Sequence, residues 1–171
     1  MKSIKFLCTG VLAVTLLFNC GGDKKKEASE EKIKLGTKKE EKSVESNSND
    51  VVITGNDAMQ FNKKEIRVKA GKTVKITLRH IGKMGKDVMG HNFVLLKNGV
   101  NLTAFGNKAA NARDNGYIPE SSTQDIIAHT KMLGGGETDV IEFDAPEPGT
   151  YEFLCSFPGH YALMKGKFIV E

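Results

Sequence analysis

Gly149-Thr150-Tyr151-Glu152-Phe153-Leu154-Cys155-Ser156-Phe157-Pro158-Gly159-His160-Tyr161-Ala162-Leu163-Met164-Lys165-Gly166-Lys167-Phe168-Ile169-Val170 reads as two short strands around a loop. The runs Tyr151–Leu154 and Lys167–Val170 supply the strands, Pro158 and Gly159 break the segment between them, and Lys165-Gly166 reads as a turn. Inside the loop, Cys155, His160 and Met164 place a thiolate, an imidazole and a thioether at C-x4-H-x3-M spacing. A lone cysteine, or a lone histidine, is ordinarily inert; three soft or borderline donors in one loop ask for a metal.

Working upstream, the pattern stays β. Val74, Ile76 and Leu78 alternate with polar residues in Lys72–Arg79, and Ile66 and Val68 do the same before them. Phe93–Leu96 and Asp139–Phe143 are further short runs, and Ala70-Gly71 and Glu147-Pro148-Gly149 read as turns. Asn101–Ala112 reads as a helix inserted between strands, interrupted by Gly106. Several short strands with turn punctuation predict an all-β protein, an antiparallel sandwich or barrel. A second histidine, His91, stands at the head of a strand in Met89-Gly90-His91-Asn92-Phe93. Two histidines, one cysteine and a distant methionine form the ligand set of a type 1 copper site: thiolate and imidazoles take a trigonal plane and methionine caps it weakly. Residue type alone leaves zinc open.

With these residues in view, the chain resembles the azurins, within the cupredoxin or type 1 blue copper family. Gly55-Asn56-Asp57-Ala58-Met59-Gln60-Phe61-Asn62 looks like their first strand, and Val88-Met89-Gly90-His91-Asn92 like the segment bearing the first histidine ligand. Ile127-Ala128-His129-Thr130-Lys131 followed by Gly134-Gly135-Gly136-Glu137 is similar again, as is the loop through Met164-Lys165-Gly166. The likeness spans residues 51–171. It implies a cupredoxin-like Greek-key β-sandwich or barrel with one inserted helical segment, holding one type 1 copper. His91, Cys155 and His160 would be equatorial ligands, with Met164 and the Gly90 carbonyl on opposite axial sides. Asn92 would steady the ligand loop and donate its backbone N–H to the cysteine sulfur, and Phe157 would pack over the site. Met59, Met89 and Pro158 would belong to an apolar patch around His160 where partners dock; for the two methionines a plain core role is equally open. Redox proteins such as c-type cytochromes, peroxidases or copper reductases are the partners the family implies. His80 is either a pH-responsive residue beside the site or a satisfied structural histidine, and His129 reads as a surface residue. Where azurins carry an N-terminal disulfide, this chain has Asn49 and Gly71, so a less constrained start is expected. Phe93 stands where azurins often bury a tryptophan, a residue this chain lacks.

The N-terminus is read separately. Lys2 and Lys5 precede a mostly apolar stretch, Phe6–Phe18, which is too short to span a bilayer as a helix and suits a secretory signal. It ends in Leu17-Phe18-Asn19-Cys20-Gly21, resembling a lipobox in which Cys20 is acylated after removal of residues 1–19. The alternative is an ordinary signal cut nearby, leaving Cys20 free or disulfide-bonded. Residues 20–50 balance eight lysines against eight acids with no aromatic residue, the composition of a disordered tether. Of three cysteines, only Cys155 then remains in the 51–171 domain, where it has no disulfide partner. The whole predicts an exported, periplasm-facing or cell-surface lipoprotein.

A formal net charge of +4 is too small to argue for nucleic-acid binding. Among functions, a single-electron carrier fits best. A copper storage protein or chaperone is the alternative, although those favour exposed, exchange-prone donors. An enzyme would need a further His-rich copper, and of four histidines only His80 and His129 are unassigned.

Overall fold

Alternation of apolar side chains writes the longest strand directly: in Thr73–His80, Val74, Ile76 and Leu78 are fully buried. The computed structural model describes residues 48–171. The expected signal (1–19), the lipidation site Cys20 and nearly all of the 20–50 linker lie outside them. The described strands are β1 (Asp50–Asn56), β2 (Gln60–Phe61), β3 (Glu65–Val68), β4 (Thr73–His80), β5 (Val94–Leu96), β6 (Ile126–His129), β7 (Thr138–Asp144), β8 (Gly149–Leu154) and β9 (Lys165–Val170). Two α-helices, α1 (Lys86–Met89) and α2 (Leu102–Ala109), interrupt them.

The strands form two sheets, ordered β2-β1-β4-β7 and β3-β9-β8-β5-β6. The chain changes sheet between β2 and β3 and changes back between β3 and β4. Two reversals bring β4 home in the direction of β1, so these two pair in parallel, with Asp50 opposite Lys75 and Gly55 opposite His80. β3 likewise lies parallel to β9. The sandwich is therefore mixed, where turn punctuation alone predicted an antiparallel one. Ile53, Val74, Ile76 and Leu78 from the first sheet share one core with Leu95, Phe153 and Phe168 from the second and with Phe93, just before β5. Each such side chain contributes about 1.5–3 kcal/mol by leaving water.

α2 covers the other face of the second sheet, where Leu102, Phe105 and Ala109 meet Val94, Leu96 and Leu154. It is shorter than the Asn101–Ala112 run predicted. Asn101 caps it, its side chain accepting from the Ala104 N–H at 2.8 Å, as short polar side chains do at helix starts. Gly106 sits inside the helix because the Tyr161 ring lies against it; a Cβ there would fall 2.5 Å from Tyr161 Cδ1. Lys165-Gly166 is not a turn. Both residues belong to β9 and pair with Leu154 and Phe153, and the reversal is completed earlier, by the loop that follows Cys155.

The fold starts slightly upstream of residue 51. Asp50 already pairs with Lys75, and Asn49 is buried. The Asn49 side chain donates to Lys69 O (3.0 Å) and accepts from Lys69 N–H (2.9 Å), while its carbonyl accepts from Lys75 N–H (2.7 Å). The expected slack start is thus replaced by an amide that clamps β1 to the end of β3.

Candidate metal centre

Four chain segments meet at one end of the sandwich: the β1–β2 turn, the Gly90-His91-Asn92 stretch before β5, the Thr130–Leu133 segment after β6, and the loop between β8 and β9. His91 bridges to Leu133, donating its N–H to Leu133 O at 3.0 Å and accepting from Leu133 N–H at 2.8 Å. The β8–β9 loop is closed by Cys155 N–H on Met164 O (2.9 Å) and Met164 N–H on His160 O (2.7 Å). These bonds make a rigid hoop of the residues that carry the donors.

Within it, one ligand atom each from His91, Cys155 and His160 lies within 4.8 Å of the others, and all three residues are buried. Cys155 Sγ is 3.9 Å from His91 Nδ1, 3.6 Å from His160 Nδ1 and 3.7 Å from Gly90 O. His91 Nε2 donates to Asn56 O at 2.9 Å, which leaves Nδ1 as the lone-pair nitrogen facing the sulfur. Met164 is fully buried. Its methyl and the His91 ring both border Gly55, where a Cβ would meet His91 Cδ2 at 2.7 Å and Met164 Cε at 3.3 Å.

The surrounding shell is equally specific. Asn92 Oδ1 accepts from Ser156 N–H (2.8 Å), and Asn92 Nδ2 donates to Ser156 Oγ (2.8 Å), tying the two ligand-bearing segments together. Backbone N–H groups of Asn92 and Phe157 donate to the Cys155 sulfur. Phe157 packs on the His160 ring with centroids 4.6 Å apart, and the Tyr117 ring meets Phe157 edge-on at 5.1 Å.

Electrostatics suit a metal. Burial pushes the Cys155 thiol up to about 12, and burial, followed by the charges of His91 and His80, brings His160 down to about 4. Burial also lowers His91. At neutral pH both imidazoles keep a free lone pair, and the sulfur needs a cation to ionise. A thiolate and two imidazoles, closely spaced and dry, fit a soft or borderline transition metal such as copper.

The other predicted residues are placed as follows. Met59 and Met89 are half-buried and Pro158 is exposed. His80 is buried, stacked on His91 at 4.3 Å; its Nδ1 accepts from Gly82 N–H (3.1 Å) and its Nε2 donates to Met89 O (2.7 Å), so both ring nitrogens are hydrogen-bonded. His129 is exposed. Residues that the sequence did not single out also shape the site. Met84, just before α1, Val88 within it and Leu163, next to Met164, are exposed apolar side chains. Gly55, the Asn56 carbonyl, Ser156, Tyr117 and Met132 hold the ligand segments.

Comparison with known proteins agrees with this geometry. The sequence model of the copper-binding proteins of the plastocyanin/azurin family matches residues 47–171. Azurin-1 of Alcaligenes xylosoxydans xylosoxydans is 48% identical over 120 residues, covering 68% of this chain and 92% of that protein. The azurin of Bordetella pertussis is 46% identical over 120 residues, covering 68% and 79% respectively. Among solved structures, dithionite-reduced auracyanin of Roseiflexus castenholzii superposes with a TM-score of 0.65 at 37% identity, covering 72% of this chain and 97% of its own. The azurin Az-iso2 of Methylomonas sp. strain J does so with 0.64 at 30% identity, covering 71% and 97%. The fold is that of the cupredoxins.

Proposed function

The chain belongs to the plastocyanin/azurin family of copper-binding proteins, and from that premise we propose a membrane-tethered electron carrier in which His91, Cys155 and His160 hold one copper. Met164 and the Gly90 carbonyl would be its weaker neighbours. The observation that carries this reading is the convergence of the three buried donor atoms within 4.8 Å of one another. Copper, when bound, supplies a one-electron Cu(I)/Cu(II) couple.

The chain's own residues do the rest. The Asn56 carbonyl fixes the His91 tautomer, and the Asn92–Ser156 pair fixes the distance between ligand segments. Two N–H groups on the sulfur moderate its charge, and Phe157 with Tyr117 keeps water off the ring of His160. A donor set locked in this way moves little when the charge changes, and that is what an electron carrier requires and an enzyme does not. Full burial of all three donors speaks against the storage or chaperone alternative, which needs easy exchange.

Electrons would pass at His160, whose apolar collar combines Met59, Met89 and Pro158 with Met84, Val88 and Leu163. Small, transient contacts suit such a surface. The partners we infer are redox proteins such as c-type cytochromes, peroxidases or copper reductases, in respiration or detoxification. Residues 1–19 would direct export, acylated Cys20 would anchor the protein to a bacterial membrane facing the periplasm or cell surface, and the 20–50 segment would give reach.

The test is one equivalent of Cu(II) added to the full chain, read by visible absorption and EPR. An intense blue thiolate-to-copper band with narrow hyperfine splitting, lost in Cys155→Ser, is expected. A colourless protein would overturn the reading, and rapid loss of copper to a mild chelator would favour storage.

A further inference from the structure

Among the described residues only Met59 (φ 54°) and Tyr117 (φ 62°) combine a side chain with a left-handed backbone. For a bulky aromatic this conformation is disfavoured and persists only where the surroundings over-determine it. Around Tyr117 they do. Its N–H donates to Ala112 O (2.8 Å), Gly116 N–H to Arg113 O (3.1 Å) and Ile118 N–H to Asn115 O (3.1 Å). The Asn115 side chain adds a bond to Ile118 O at 2.8 Å. The loop is built to hold this one ring in place.

The ring's destination is Phe157, met edge-on at 63°. Phe157 in turn lies on His160 and against Gly90, where a Cβ would fall 2.9 Å from Phe157 Cδ2 and 2.8 Å from Met132 Sδ. Outside this layer is a surface cavity of about 290 Å³ bordered by Lys86, Asp87, Arg113, Tyr117 and Met132. Its rim is charged and therefore wet. Tyr117 and Met132 stand between that water and the Gly90–Phe157 side of the donor cluster, and Tyr117 itself is only 9% exposed.

We infer that Tyr117 is a positioning residue that seals the Gly90 side of the centre, acting through Phe157 to set the hydration and hence the reduction potential of the metal. The inference rests on the copper reading above. Oxidised copper with one thiolate carries a unit more positive charge than reduced copper, so water admitted to this face favours the oxidised form and lowers the potential. A tyrosine suits the position because its apolar body packs on Phe157 while its polar end tolerates the wet rim.

The experiment compares Tyr117→Gly and Tyr117→Phe in the copper-loaded full chain. Glycine accepts the left-handed backbone without strain, so the first variant removes the ring while relaxing the loop, and circular dichroism checks that the fold is kept. Voltammetry should show a negative shift in potential for Tyr117→Gly, with faster copper loss to a chelator, and wild-type values restored in Tyr117→Phe. A folded Tyr117→Gly with wild-type potential and chelator rate overturns the inference, as does a Tyr117→Phe that behaves like the glycine variant. A wild-type protein without a blue band would instead overturn the copper reading itself, and this inference with it.

Discussion

His91 donates from Nε2 to the backbone carbonyl of Asn56 across 2.9 Å, so a residue in the first strand decides which nitrogen of a ligand thirty-five positions later faces the sulfur. The same Asn56 uses its side chain to accept from Ala58 and Gln60 N–H at 3.0 and 3.2 Å, shaping the turn that presents Met59. One asparagine thus couples the metal centre to the turn that carries Met59. The carbonyl can do this because Gly55, next to it, leaves the His91 ring room to lie flat against the strand.

Gly55→Ala should therefore disturb the centre from outside the ligand set. The added methyl would meet His91 Cδ2 at 2.7 Å, and the ring cannot retreat without losing Asn56 or the stacked His80. A cost of about 1–3 kcal/mol is expected for such overpacking, together with a shifted blue band and weaker copper retention. Unfolding midpoints and absorption spectra of the loaded variant check both; an unchanged spectrum would show that His91 has slack.

Asn92→Ala should loosen the same centre by another route. It strips partners from a buried Ser156 N–H and Oγ, each bonded at 2.8 Å. Leaving such groups unpaired costs about 1–3 kcal/mol each. Copper release to a chelator should quicken, since the bond spans the two segments that carry His91 and Cys155. Stopped-flow loss of the blue band measures it, and a wild-type rate would mean that the backbone alone holds the hoop.

Asn49→Ala separates stability from function. Two side-chain bonds to Lys69 disappear, at about 1–3 kcal/mol in all, at the end of the sheet where the sequence lacks a disulfide. The blue spectrum and potential should not move. A spectral change would show that the clamp reaches the metal centre through β1.

The donor loop was legible because its chemistry is carried by side chains at fixed spacing: Cys155, His160 and Met164 announce themselves. β4 was legible because it is buried on one face, so Val74, Ile76 and Leu78 alternate. What escaped reading has a common cause. The Asn56 carbonyl and the Phe157 N–H act through backbone, which every residue has. Lys165-Gly166 looked like a turn because glycine usually marks one; here it belongs to β9, opposite Phe153. Asn49 carries linker composition yet is buried, because its amide copies a backbone pairing. Tyr117 is set by a backbone conformation that its neighbours' hydrogen bonds enforce, and no side-chain pattern encodes that.

The pH dependence of the metal-free protein follows from the two buried donor types, with opposite signs. An unfolded histidine takes its proton near pH 6.5, whereas folded His160 resists until about 4. Between those values the unfolded chain binds the extra proton, so stability falls as pH falls, and His91, lowered by burial, adds to the same arm. Cys155 works the other way. Its thiol ionises at about 9 when unfolded and about 12 when buried, so over that window the folded chain keeps the extra proton and stability falls as pH rises. Urea midpoints of metal-free protein should therefore form a plateau between about pH 6.5 and 9 and decline on both sides. Cys155→Ala should remove the alkaline decline and keep the acid one. An alkaline decline that survives in that variant would assign it to groups outside the donor cluster, and the thiol would not be the buried, metal-awaiting group described above.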